Sequence, residues 1–275
     1  MFWNNRDFFL ITSHKKEQVI APILQEFFGV KLTVIKADTD SLGTFSGEIE
    51  RLSDPTSTLR KKIKLAQLPA DAIVLASEGS FGPHPSLYFV QSDDELILLY
   101  DKLNDLEIVG RKLSTETNFN QNEISSWHEL QSFAEKAQFP KHGLILRDSK
   151  NKQIIKGIST VKDLKKAFEE LISTDSKIKV ETDMRAHLNP TRMTVIREAM
   201  LDLVSKMNSY CPSCQTPGWS IKSTIKGLRC EWCGSPTESV KAYVKSCDKC
   251  NCQEIIEFPN GKNRESPEYC SNCNP

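Results

Sequence analysis

The first 210 residues of this 275-residue chain contain no cysteine. A thiol nucleophile is thereby excluded from most of the molecule. The same stretch lacks the Gly-x-Ser-x-Gly order of a nucleophile elbow, which Gly79-Ser80-Phe81-Gly82 does not satisfy, so a serine hydrolase of that kind has no support. No apolar run approaches the roughly 20 residues of a membrane span. The early Phe8-Phe9-Leu10-Ile11 is too short for the apolar heart of a signal peptide. Net charge is missing too: 36 basic side chains face 36 acidic ones, leaving no global field that draws the protein to nucleic acid or an anionic membrane. A cytoplasmic protein without a membrane is the expectation.

What the chain does have is concentrated at its end. All nine cysteines follow residue 210, as four Cys-x-x-Cys pairs and the single Cys252. Fifteen residues separate Cys211/Cys214 from Cys230/Cys233, and nineteen separate Cys247/Cys250 from Cys270/Cys273, both within the range of zinc-site spacings. The gap between the second and third pairs is thirteen. These intervals predict two consecutive structural Zn²⁺ sites: Cys211, Cys214, Cys230 and Cys233 in one, Cys247, Cys250, Cys270 and Cys273 in the other. Spacing alone leaves interleaved pairing open, and leaves open whether Cys252 is a spare thiol or replaces Cys250. A disulfide framework would need an oxidising compartment, for which nothing in the sequence argues. Four thiolates per ion leave no open coordination position, so each site folds its segment and does no catalysis. Formal charge makes the metal-loaded tail about three units negative, the wrong sign for phosphate-driven nucleic-acid binding.

The body, residues 1–210, is long enough for a real core. Strands are expected near residues 7–12, 31–35, 72–76, 87–90, 95–100, 106–109, 143–147 and 177–181. Helices are expected along the stripe Val19, Ile20, Ile23, Leu24, Phe27 and Phe28, near 58–67, 126–137 and 161–172, with a last one after Asn189, whose apolar stripe is Met193, Ile196, Met200, Leu203 and Met207. Interleaved strands and helices give an α/β fold: a mixed sheet with flanking helices, followed by a double zinc-ribbon region at 211–275.

Two polar segments follow predicted strands, where open α/β sheets form ligand crevices. In residues 77–85, Glu78 would hold a divalent cation or act as a base, with Gly79 and Gly82 permitting close approach of a ligand. In residues 181–192, Arg185, His187 and Arg192 crowd the start of a helix whose free N–H groups favour an anion. There Glu181 and Asp183 would coordinate Mg²⁺ or Mn²⁺, the alternative being an ion-paired helix cap in which they neutralise the arginines. Lys16, after Thr12-Ser13-His14, would add a cation beside another helix start. The acidic residues 38–51 are a third candidate metal loop, and Arg60-Lys61-Lys62 reads as a solvated helix face.

Asp-Thr-Asp-x-x-Gly-Thr-Phe-Ser-Gly-Glu at 38–48, Ser-Glu-Gly-Ser-Phe-Gly-Pro-His-Pro at 77–85, Glu-Thr-Asp-Met-Arg-Ala-His-x-Asn-Pro-Thr-Arg-Met at 181–193 and the first two cysteine pairs resemble an uncharacterised bacterial family of unknown function. The order of motifs is also similar to that of the inosine/xanthosine triphosphate pyrophosphatases and Maf-like enzymes. That similarity implies phosphate binding by Thr12, His14 and Lys16, a central metal-binding Glu78, and a substrate segment at Arg185 and His187. His14 stands where those enzymes have Asn, and Arg185 and His187 occur in reversed order. The expected function is therefore metal-assisted hydrolysis of a phosphorylated, nucleotide-like small molecule. Glu78, Glu181, Asp183 and His187 would be catalytic and Lys16, Arg185 and Arg192 anion-binding. The alternative is a non-catalytic adaptor whose ribbons bind protein or nucleic acid while the body binds an anion.

Overall fold

The computed structural model describes residues 2–3, 5–37, 54–150 and 152–275. The candidate metal loop at 38–51 lies outside them. Two compact units are formed, Trp3–Val204 and Ser205–Pro275.

The first unit contains two sheets. β1 (Phe8–Ile11) pairs in parallel with β2 (Leu32–Ile35) on one side and with β3 (Ile73–Pro83) on the other. Between β1 and β2 runs α1 (Glu17–Phe28), which buries Ile20, Ile23 and Leu24 and stops at Gly29, whose φ of 65° supplies the left-handed end. α2 (Pro55–Ile63) starts with proline and is capped by Asp54, whose carboxylate accepts the Ser57 N–H at 3.0 Å. β4 (Gln91–Asp101) and β5 (Leu106–Ser114) complete the order β2-β1-β3-β4-β5 as antiparallel neighbours.

β3 is longer than the sequence pattern predicts. β1 pairs with it only as far as Ala76, but β4 stays in register from Ile73↔Asp101 to Pro83↔Gln91, so the glycine-containing segment after Ala76 is strand rather than loop. The strand expected at 87–90 is instead the turn between β3 and β4. There the Val90 N–H donates to Leu87 O, and His84 Nδ1 accepts the N–H groups of Ser86 and Leu87, both at 3.1 Å. Alternation along β3 and β4 sorts their polar residues. Ser77, Gly79 and Phe81 share a face with Glu95 and Asp93, whereas Glu78 lies on the opposite face, with Leu96 and Leu98 and toward Leu59 of α2.

The second sheet has the order β6-β9-β7-β8, from β6 (Gln121–Ile124), β7 (Leu144–Asp148), β8 (Ile154–Ile158) and β9 (Ile178–Thr182), all antiparallel. α3 (Trp127–Lys136), with a Ser126/Glu129 capping box, and α4 (Val161–Ile172), capped by Thr160, cover one face. Leu144, Leu146, Ile178 and Val180 meet Leu130, Phe133, Leu164 and Phe168 there, in one buried apolar cluster. After β9 the chain makes a single 3-10 turn at Ala186–Leu188 and enters α5 (Pro190–Met207). Asn189 caps that helix as expected, its side-chain oxygen accepting the Arg192 N–H at 3.0 Å. α5 packs back on the first sheet at Gly110, where a Cβ would stand 2.4 Å from the Ala199 carbonyl oxygen. This close approach carries the start of α5, and Arg192, over β4.

The second unit is built on an antiparallel sheet of β10 (Ser220–Lys226), β11 (Val240–Ser246) and β12 (Gln253–Glu257). Among the described residues, no helix is long and apolar enough to cross a membrane. The fold is mixed α/β with flanking helices, as the alternation of patterns predicts.

Candidate functional site

Each Cys-x-x-Cys pair sits on the same local turn. The residue following the second cysteine donates its N–H to the carbonyl of the first: Gln215 to Cys211 at 2.9 Å, Gly234 to Cys230 at 3.0 Å, Asn251 to Cys247 at 2.9 Å and Asn274 to Cys270 at 2.8 Å. Gln215, Gly234 and Asn251 adopt positive φ of 58°, 74° and 58°, which glycine and asparagine tolerate best. The turn points both sulfurs of a pair to one side, making half of a tetrahedral site.

The halves join in a different order from the one that spacing predicts. Cys211, Cys214, Cys247 and Cys250 form one group and Cys230, Cys233, Cys270 and Cys273 the other. Consecutive pairing is thus corrected to interleaved pairing, first with third and second with fourth. The cause is the sheet. β10 carries the chain away from the first pair to the second, β11 returns it, and β12 carries it away again, so alternate pairs share an end. A strand of that length spans about 20 Å, far more than a metal site can bridge. Facing sulfurs lie at 3.6 Å for Cys211–Cys250, Cys214–Cys247 and Cys233–Cys270, and at 3.9 Å for Cys230–Cys273. A tetrahedral ion with Zn–S bonds of about 2.3 Å sets its sulfurs about 3.8 Å apart. Both tetrads therefore fit zinc. Cys252 belongs to neither group; it is half-buried against Cys211, Trp219 and Cys247, and burial pushes its thiol up.

The polar cluster of the body forms where the two sheets of the first unit meet. The β1–α1 turn, with Lys15 at a φ of 56°, delivers His14 and Lys16. Lys16 is only 6% exposed, and its ammonium donates to the Ser77 hydroxyl at 2.9 Å. The exit from β9 delivers Arg185 and His187, and the His187 ring lies 5.6 Å from that of His14. Arg192 comes from α5. Its Nε donates to Glu95 Oε1 at 2.6 Å, its Nη1 to the Met184 carbonyl, and its guanidinium lies 4.9 Å from the Phe81 ring centroid. Gly79 makes room for that pair, since a Cβ there would sit 2.2 Å from Glu95 Oε1.

The cluster's electrostatics follow from burial among like charges. Desolvation, then Lys16, Arg192, His187 and Arg185, push His14 down to about 3, so its imidazole is neutral. Lys16 is lowered to about 7, by burial first and then by Arg192, against the opposing pull of Glu95 and Glu78. His187 is lowered by burial and by Arg185.

Sequence reasoning missed the acids at the centre of this cluster. Asp93 is 1% exposed and Glu95 0%. Among the described residues, neither oxygen of Asp93 meets a hydrogen-bond donor, and neither does Oε2 of Glu95. Burial and then the neighbouring Glu95 raise Asp93 to about 8, although Arg192 and Lys16 pull it down. A signal was present in Asp93-Asp94-Glu95-Leu96-Ile97-Leu98-Leu99: positions 93 and 95 continue inward the alternation of Ile97 and Leu99.

Of the residues expected to share the site, Lys16, Arg185, His187 and Arg192 come together around His14. The proposed metal-binding carboxylates do not. Glu78 faces α2, where Lys62 donates to its carboxylate and to Ser77 O at 2.9 Å, so Lys62 is a buried partner and not part of a solvated face. Glu181 pairs with Arg147 at 2.6 Å and Lys179 at 3.5 Å on its own sheet. Asp183 accepts from Arg185 Nε at 3.0 Å and Nη2 at 2.6 Å, and from the Gly157 N–H at 3.1 Å. Each acid has its own base. Among the described residues, the groups of three or more ligands close enough to share an ion are the two cysteine tetrads.

A model of a domain of unknown function, DUF6671, matches residues 61–275. The chain belongs to this family. The matched part of the DUF6671 chain takes in both tetrads, Lys62, Asp93, Glu95 and the segment from Asp183 to Arg192, and begins after His14 and Lys16. A search of curated proteins finds no match to it. The similarity to the triphosphate pyrophosphatases therefore rests on motif order alone.

Proposed function

We propose that the α/β body binds and hydrolyses a phosphorylated, nucleotide-like small molecule with the help of a divalent cation, and that the tail holds two structural Zn²⁺ ions. The observation that carries this reading is the meeting of the β1–α1 turn with the segment after β9. They bring Lys16, His14, His187, Arg185 and Arg192 to one place from opposite ends of the first unit. In this reading Lys16 and the adjacent start of α1 receive phosphate oxygens. Neutral imidazoles at His14 and His187 donate to the substrate or relay a proton without adding repulsion between cations. Arg185 and Arg192, locked onto Asp183 and Glu95, contribute field and shape more than direct contacts. A phosphate dianion would offset the burial and the mutual repulsion that together depress Lys16 and His14.

Zinc is the ion of choice for the tail because four thiolates at tetrahedral separations suit a borderline-soft metal, and a reducing cytoplasm keeps those thiols available. The test of the body is release of phosphate or pyrophosphate from a nucleotide panel with Mg²⁺ or Mn²⁺, by wild type and Lys16→Met. Turnover reduced by roughly a hundredfold in the variant supports the reading; no turnover of any member by the wild type overturns catalysis.

One observation favours the adaptor alternative. Trp232, 77% exposed, lies between Cys230 and Cys233, and Tyr269, 64% exposed, precedes Cys270, so two bare aromatics belong to one tetrad. Aromatics of this kind anchor protein partners. Loss of a bound protein on Trp232→Ala, with turnover absent in the wild type, would decide for that reading.

A further inference from the structure

Asp93 and Glu95 present an arrangement that ion pairing within the fold does not explain. They project from the same face of β4, two residues apart, and are 1% and 0% exposed. Arg192 satisfies one oxygen of Glu95. Among the described residues, three buried carboxylate oxygens, two on Asp93 and one on Glu95, meet no hydrogen-bond donor. Buried acceptors are ordinarily satisfied, because leaving one unmet forfeits its hydration without compensation. The other buried acids of the body show the contrast: Glu78, Glu181 and Asp183 each meet a base.

We propose that Asp93 and Glu95 hold a hard divalent cation, Mg²⁺ or Mn²⁺, through the oxygens that meet no hydrogen-bond donor among the described residues. Such ions take one or two carboxylates from a protein and fill their remaining octahedral positions with water and substrate phosphate. The surroundings fit that division. Two carboxylates, one ion and the flanking Lys16 and Arg192 leave an excess of positive charge, which a phosphate dianion cancels. The proposal thus deepens the phosphohydrolase reading, on which it rests for the ion's use but not for its binding. It also moves the metal from Glu78, Glu181 and Asp183 to a pair on a different strand.

The experiment is titration of the zinc-loaded full chain with Mn²⁺, followed by electron paramagnetic resonance of the free ion, first with Mn²⁺ alone and then with inorganic phosphate present. Closed thiolate tetrads offer Mn²⁺ no position, so binding reports the body. One saturable site is expected, weakened roughly tenfold or more by Asp93→Asn, unchanged by Glu78→Gln, and tightened by phosphate. Saturable Mn²⁺ binding that phosphate leaves untouched would uphold the cation site while removing support for the phosphate reading. Absence of saturable binding in both arms, or equal binding by Asp93→Asn, overturns the cation site and leaves a carboxyl pair sharing a proton. Should Asp93→Asn fail to fold, the thermal midpoint of the wild type with and without Mn²⁺ decides: a rise supports the site and no shift sinks it.

Discussion

In the tail, eight cysteines reach two tetrads through four copies of one local turn, whereas in the body Arg192 reaches Glu95 across 97 positions of sequence. The two units thus solve the same problem, gathering polar groups into a small volume, by different means. In the tail, geometry is set within five residues, and the sheet only decides which half-sites meet. In the body, the cluster is assembled from segments far apart in sequence, and only Arg185, held by Asp183, has a local anchor. His14, Asp93, His187 and Arg192 come from a turn, a strand, a 3-10 turn and a helix, and each depends on the packing of all the others. A local motif survives distant change; a tertiary cluster does not.

The largest effect expected from breaking this contrast is in the tail. Removing metal should unfold the second unit, because a structural zinc ion contributes about 10–16 kcal/mol in small zinc domains. Circular dichroism with a strong chelator checks this, and a tail that keeps its strands without metal would refute it. Bound-zinc stoichiometry tests the pairing. Cys211→Ser and Cys247→Ser should remove the same ion, Cys230→Ser and Cys270→Ser the other, each leaving about one ion per chain. Consecutive pairing would instead group Cys211→Ser with Cys230→Ser.

Next in size is the Arg192–Glu95 pair. Arg192→Ala strands a fully buried carboxylate and should cost about 3–5 kcal/mol by denaturant unfolding. Adding Glu95→Leu should restore part of that, since an apolar pair avoids the stranded charge. A cost under about 1 kcal/mol would mean that the pair is solvated, as surface bridges are.

Glu78→Gln sharpens the distinction between a site and a support. It breaks the buried ion pair with Lys62 and should lower stability by about 3 kcal/mol, with Mn²⁺ affinity retained. Lost Mn²⁺ affinity with full stability would return Glu78 to the metal role that sequence assigned to it.

The last effect concerns pH. His14, ordinarily near 6.5, is held at about 3 by burial and by the cations around it, so the unfolded chain binds its proton more readily than the folded body. Its contribution is complete above 6.5 and is lost as pH falls toward 3. The body should therefore weaken over that range, and His14→Gln should flatten the slope of unfolding free energy against pH. An unchanged slope would show that other groups carry the acid sensitivity.

Much of the scaffold was legible. The stripe of α4, the cap and first proline of α5, the apolar run of β3 and the cysteine half-sites are local patterns, and local patterns fold as they read. The sequence pattern does not predict β6 or β8, and it ends β3 at Ala76. Its continuation through Ser77-Glu78-Gly79 contains the residue types that mark loops, and only pairing with β4 overrides that signal. The cationic members of the cluster were legible as a crowd of charge near a helix start. Asp93 and Glu95 were not, because an acid inside a strand looks solvent-facing until the strand is seen to be covered on both sides.

The amino-acid order by itself determined the Cys-x-x-Cys half-sites, the start of α5 at Asn189 and Pro190, and the α/β class, since each follows from forces acting over a few residues. Tertiary structure alone decided which cysteine pairs join, that Glu78 faces Lys62, and that Asp93 lies buried beside Glu95. Those outcomes depend on which end of a strand a segment occupies and which face it shows. A shift of one residue in register would reverse the face, and no short stretch of sequence encodes it.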